Sequence, residues 1–113
     1  MKEKISQFGT NRNKGFSMTF ENGFAISVQW GTENYCARRF EKKDPRELRF
    51  WRSSTAEIAV LNKKDEFIKI NNGSDGVVSG WLSTDTVAEV IAIVSSAKTQ
   101  KEIEKKCLTL SLY

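Results

Sequence analysis

Apolar and polar residues alternate along two neighbouring stretches of the chain. Phe16, Met18 and Phe20 are separated by Ser17 and Thr19, and Phe24, Ile26, Val28 and Trp30 by Ala25, Ser27 and Gln29. A period of two places the apolar set on one face of a strand. Between the two stretches lies Glu21-Asn22-Gly23, whose Asn-Gly pair tolerates positive φ in a tight turn, so the segment predicts a β-hairpin with one apolar face.

The alternation returns over 55–61, with Ala56, Ile58 and Val60 on one side and Thr55, Glu57 and Ala59 on the other. A polar turn at 62–65 and a return run over 66–70 predict a second hairpin. The dense turn signal of 71–76 precedes a short strand expected over 77–81. There the period changes. Val87, Val90, Ile91 and Val94 share one helical face, Ser83 suits the N-cap, Asp85 adds first-turn negative charge, and Leu82 is placed to staple onto Val87. A helix beginning near Thr84 follows. Thr99 and Glu102 have capping-box spacing for a short helical turn over 102–106, and Leu108, Leu110 and Leu112 alternate as a terminal strand would.

Two regions lack a clean period. Residues 1–15 are polar, with Ile5 and Phe8 as the only anchors, and read as a tail or a loosely docked arm. Residues 31–53 form a long excursion. Within it, 44–52 fits a short helix capped by Asp44 with Pro45 and Glu47 following, and fits equally an edge strand blunted by its charges. The expected architecture is a single α+β domain over 16–113. It has an antiparallel sheet of two hairpins plus further strands, one main C-terminal helix packed on one face, and a basic and aromatic excursion at 31–53. A length of 113 residues suits one core.

Composition narrows the chemistry. The chain has no histidine, which removes Ser-His-Asp and Cys-His catalysis and His-ligated zinc. Its two cysteines, Cys36 and Cys107, are too few for an all-cysteine zinc site and are expected as reduced, packed thiols. No cofactor is expected. No apolar run approaches bilayer length and no signal-peptide pattern follows the start, so a soluble cytoplasmic protein without membrane contact is expected.

The net charge of +4 is local. Residues 38–52 hold seven basic and three acidic side chains, leaving eleven of each sign elsewhere. Tyr35, Arg38, Arg39, Phe40, Lys42, Lys43, Arg46, Arg49, Phe50, Trp51 and Arg52 interleave cations with aromatic rings. Arginine forks suit phosphate or carboxylate and aromatic faces suit stacking. The candidate binding residues are accordingly Tyr35, Arg38, Arg39, Arg46, Arg49, Trp51 and Arg52. The bland alternative is a solvated loop, since Glu41, Asp44 and Glu47 interrupt the run. Other chemistry is weaker. Asp75, Asp85 and Asp65-Glu66 match no calcium loop and suit turns or a helix start. The 71–76 loop lacks the Lys and Ser/Thr of a P-loop, and Cys36 beside Arg38 and Arg39 has no histidine base.

Three blocks, 22–36, 55–60 and Gly80-Trp81-Leu82-Ser83-Thr84-Asp85, together resemble small uncharacterised proteins carried by bacteriophages and prophages, over about 16–97. The resemblance assigns no catalytic residues. It implies a non-enzymatic phage accessory protein that inhibits a bacterial defence system, by binding a defence protein or sequestering its nucleotide signal in the host cytoplasm. An alternative is DNA or RNA binding in phage gene control, and a third reading is a Mg2+ enzyme using acidic residues. A homodimer supported by exposed hairpin edges and by Trp30, Trp51 and Trp81 is a further expectation.

Overall fold

The structure, a computed structural model, describes residues 5–11, 14–42, 51–74 and 76–112. Among them, five strands form one antiparallel sheet: β1 (Gln7–Thr10), β2 (Gly15–Thr19), β3 (Ala25–Gln29), β4 (Ala56–Leu61) and β5 (Val78–Leu82), lying side by side in chain order. Two helices follow, α1 (Thr84–Ser96) and α2 (Gln100–Leu108). The fold is α+β, as the period change near residue 83 implies.

Alternation fixes the faces of the sheet. Phe16 pairs with Val28, Met18 with Ile26, Ile26 with Val60 and Val28 with Ile58, so these apolar side chains share one face. Helix α1 lies on that face over β3 and β4, inserting Val87, Val90 and Val94 among Ile26, Ile58 and Val60. The opposite face carries Ser17, Thr19, Ser27, Gln29 and Glu57.

The β2–β3 turn forms where the Asn-Gly pair predicts it. The Gly23 amide donates to the Phe20 carbonyl and the Phe20 amide to the Phe24 carbonyl, both at 2.9 Å. Gly23 takes a φ of 88°. This is a three-residue loop closed by a left-handed glycine, a conformation that costs glycine no Cβ clash. Asn22 also acts at long range. Its Nδ2 donates to the carbonyls of Val94 (2.8 Å) and Ala97 (2.9 Å), satisfying acceptors that the end of α1 leaves open.

Four elements differ from the sequence expectation. Residues 7–10, placed in a polar arm by composition, form β1 against β2, because strand pairing there uses backbone groups and needs no apolar run. Residues 66–70 are not a regular strand. One bridge joins Phe67 to Leu61, and the Ile68 amide reaches the Val60 carbonyl at 2.8 Å. The outer edge of β4 is already occupied from Ala56 to Ala59 by β5, so this segment runs only beside the strand's end while burying Ile68 and Ile70. The helical turn expected at 102–106 is the nine-residue α2. The terminal strand is absent: the amides of Thr109, Leu110 and Ser111 bond back to Lys106, Cys107 and Leu108 as successive turns. Ile103, Cys107 and Leu110 are spaced by four and three, a helical phase that overrides the alternation of leucines.

The N-caps expected at Ser83 and Thr99 are present. The Thr86 amide donates to the Ser83 hydroxyl at 3.2 Å. The Glu102 amide donates to Thr99 Oγ1 at 3.2 Å, and the Glu102 carboxylate accepts from the Lys98 amide at 2.8 Å. That bond, assisted by Lys106, holds the Glu102 carboxyl below the usual carboxylate range. Among the described residues, no helix is long and apolar enough to cross a membrane.

Candidate binding surface

β3 ends at Gln29, and after Trp30 the chain turns tightly through 31–42 onto the polar side of the sheet. The Asn34 Oδ1 accepts from the Gly31 amide at 2.8 Å, and its Nδ2 donates to Gln29 Oε1 and Glu57 Oε1, each at 3.1 Å. Glu57 accepts a further bond from the Tyr35 amide at 2.9 Å, and Thr55 Oγ1 one from the Ala37 amide at 2.9 Å. A carboxylate on β4 thereby pins the loop by two of its residues. The buried Cys36 thiol donates to the Gly31 carbonyl at 3.4 Å. It is packed inside the loop.

The loop then reaches β5. The Trp81 amide donates to the Tyr35 carbonyl at 2.8 Å. Gly80 permits this approach: a Cβ there would lie 2.4 Å from Tyr35 Cβ and 2.8 Å from Tyr35 O. The register between β4 and β5 shifts between Ala56 and Ile58, and Trp81 takes a φ of 51°. This bulge turns Ser79 and Leu82 inward and Trp81 outward.

The outcome is a row of exposed aromatic rings around the half-buried Arg39. The Trp81 and Tyr35 rings lie 5.4 Å apart at 40°. The Arg39 guanidinium sits 4.2 Å from the centre of the Tyr35 ring and 4.8 Å from that of Phe40. Tyr35 is 44%, Trp81 53% and Phe40 80% exposed, large values for rings that fold into no core. Cation–π contact on two rings orients a guanidinium that would otherwise sample many rotamers.

The other sequence-selected residues are elsewhere. Arg38 lies 4.8 Å over the Trp51 ring, donates through Nε to the Arg52 carbonyl, and approaches the Glu41 carboxylate at 3.5 Å. Trp51 is buried, its indole N–H bonded to the Trp30 carbonyl at 2.9 Å. Arg46 and Arg49 lie outside the described residues, as do residues 44–50 of the segment that fits either a helix or an edge strand, while 51–53 are neither helix nor strand. The site predicted from sequence therefore separates into Tyr35 with Arg39 on one patch, and Arg38, Trp51 and Arg52 on another. Trp81 stands in the strand expected over 77–81 and joins the row only through the bulge, which no local pattern of residues announces.

Beside Trp51, an apolar groove of about 510 Å3 opens between β2, β3 and α1, lined among others by Phe16, Trp30, Leu82, Val87 and Ile91. Among the described residues, acidic side chains do not converge. Asp85 lies in the first turn of α1 and Asp65 in the 62–66 turn, Asp75 is outside the described residues, and no group of three potential metal ligands occurs among the described residues. In the 71–76 loop, the Gly73 amide is bonded at 2.8 Å to the buried Asn71, whose Nδ2 also bonds Val78 O and Ser79 Oγ.

No protein-family model, curated protein or solved structure matches the chain.

Proposed function

We propose that this chain is a non-enzymatic binding protein that presents the Trp81–Tyr35–Arg39–Phe40 row to a partner protein. The observation that carries the reading is the exposure of three aromatic rings around a guanidinium held on two of them. Trp, Tyr and Arg are the side chains that dominate protein interfaces, where they fill pockets on the partner. Arg38 is engaged by Trp51, Glu41 and the Arg52 carbonyl, which favours a protein partner over a phosphate ligand at that position. The resemblance to phage and prophage proteins supplies the context: a bacterial defence protein, bound in the host cytoplasm and so inhibited.

The test is phage plating on bacteria that carry single defence systems and express the wild-type chain or a Trp81→Ala/Arg39→Glu variant. Wild type is expected to restore plating against one system and the variant to lose that effect while its circular dichroism is unchanged. Full activity of the folded variant overturns the assignment. A nucleotide that co-purifies with the chain replaces the protein blocker with a nucleotide sponge. The nucleic-acid reading, supported by the basic excess of 38–52, requires retention on DNA or RNA that falls steeply with salt, because phosphate contacts release counterions.

A further inference from the structure

The two edges of the sheet are finished differently. Along β5, the Trp81 amide is bonded to the Tyr35 carbonyl, and the Val78 carbonyl accepts from Asn71 Nδ2 at 2.9 Å, so the chain covers its own edge at two points. Along β1, no backbone bond among the described residues reaches the outer side. The hydrogen-bond phase tells which groups face out. The Asn11 amide bonds the Gly15 carbonyl at 3.1 Å, and in an antiparallel ladder bonded pairs recur at every second residue. Gly9 opposite Ser17 and Gln7 opposite Thr19 are therefore the bonded pairs, and the N–H and C=O groups of Phe8 and Thr10 point away from β2.

Within residues 5–11, nothing on this edge discourages pairing. Residues 5–11, Ile-Ser-Gln-Phe-Gly-Thr-Asn, contain no charge and no proline, the usual devices that blunt an open edge. The Phe8 side chain, 79% exposed, stands on the α1 face of the sheet opposite Met18, beyond the part that α1 covers. A partner that supplies a second uncharged strand and a second aromatic ring fits this edge. Another copy of the same strand provides both and brings no opposed charges within 5–11.

We propose that β1 pairs antiparallel with β1 of a second copy, with Phe8 opposite Phe8 about a twofold axis. The two sheets then join into one. Thr10 of each copy faces Ser6 of the other, the outward backbone groups are satisfied, and the two Phe8 rings meet as a cross-strand aromatic pair. Because β1 and β5 lie at opposite edges, the dimer carries its two Trp81 rows far from the contact. The inference stands without the proposed function, and its test needs no target.

Sedimentation velocity of the full chain over a concentration series is expected to show a reversible monomer–dimer equilibrium. Thr10→Pro removes an outward N–H while sparing the β1–β2 ladder, and Phe8→Lys opposes two cations at the axis; both are expected to yield monomers with unchanged circular dichroism. Phe8→Cys is expected to form a covalent dimer on mild oxidation, since Cα atoms of a bonded antiparallel pair lie about 5.5 Å apart, within disulfide range. A wild-type chain monomeric at every concentration overturns the proposal, as does a dimer that survives Thr10→Pro or one in which Phe8→Cys fails to cross-link.

Discussion

Trp30 and Trp51 each donate an indole N–H to the other's backbone carbonyl, Trp30 Nε1 to Trp51 O at 2.8 Å and Trp51 Nε1 to Trp30 O at 2.9 Å. The exchange locks the end of β3 to the chain that enters β4, closing the excursion at its base. Each indole is an apolar body whose one donor must be satisfied on burial, and here the two residues satisfy one another.

Trp51→Phe keeps an aromatic ring of smaller volume and removes one donor, leaving the Trp30 carbonyl without that partner. Its unfolding free energy is expected to fall by about 1–3 kcal/mol, read by urea denaturation. An unchanged midpoint would mean that the reciprocal pair contributes nothing beyond packing.

Asn22 links the first hairpin to the end of α1 through Val94 and Ala97. Asn22→Ala is expected to lose about 1–3 kcal/mol by deleting these donors. Asn22→Asp should lose more, because it also sets a negative charge at the negative end of the helix dipole, and added salt should recover part of that difference. Thermal unfolding at two ionic strengths checks both the order and the salt effect.

Gly80→Ala places a methyl group where Tyr35 now lies. A destabilisation of about 1–3 kcal/mol is expected from such overpacking, together with faster hydrogen exchange at the Trp81 amide, whose acceptor is Tyr35 O. Slow exchange retained at Trp81 would show that the loop accommodates the methyl group in place.

Burial pushes the Cys107 thiol from an ordinary 9.0 up to about 11. The folded state thus favours the protonated thiol. This contribution is complete below 9.0 and is lost as pH rises toward about 11. The stability difference between wild type and Cys107→Ala should shrink across that window in denaturant titrations, and thiol reagents should label Cys107 only on unfolding. Rapid labelling of the folded protein at neutral pH contradicts the burial.

Glu102 has the opposite sign. Its depressed carboxyl favours the charged form in the fold, so its contribution is present above the ordinary carboxylate range and is lost as pH falls through the depressed value. Glu102→Gln keeps an acceptor for the Lys98 amide but should flatten this part of the acid dependence, measured as unfolding midpoint against pH.

The parts of the fold that were legible in the sequence are those whose signal is local. Phe16 to Trp30 reads as a hairpin because its period and turn residues agree, and Ser83 to Val94 reads as a helix because its cap and spacing agree. The run 66–70 misleads because its composition suits a strand while β5 holds the edge it would need. The leucines of 108–112 mislead because period two and a helical phase coincide over so few residues. The candidate surface was half legible. Tyr35 and Arg39 stand in the charged excursion, but their neighbour Trp81 is more than forty residues away and becomes visible only through the Gly80 approach and the bulge.

The sequence by itself determined the strand and helix periods, both N-caps, the absence of histidine chemistry and the placement of the charge excess, since each depends on residues within a few positions of one another. Tertiary structure alone decided that Arg39 stacks on Tyr35 and Phe40 while Arg38 stacks on Trp51, that β4 takes β5 as its neighbour, and that Gln7–Thr10 forms an open edge. Those outcomes follow from long-range competition for hydrogen-bond partners and packing space, which residue order does not reveal until the chain is folded.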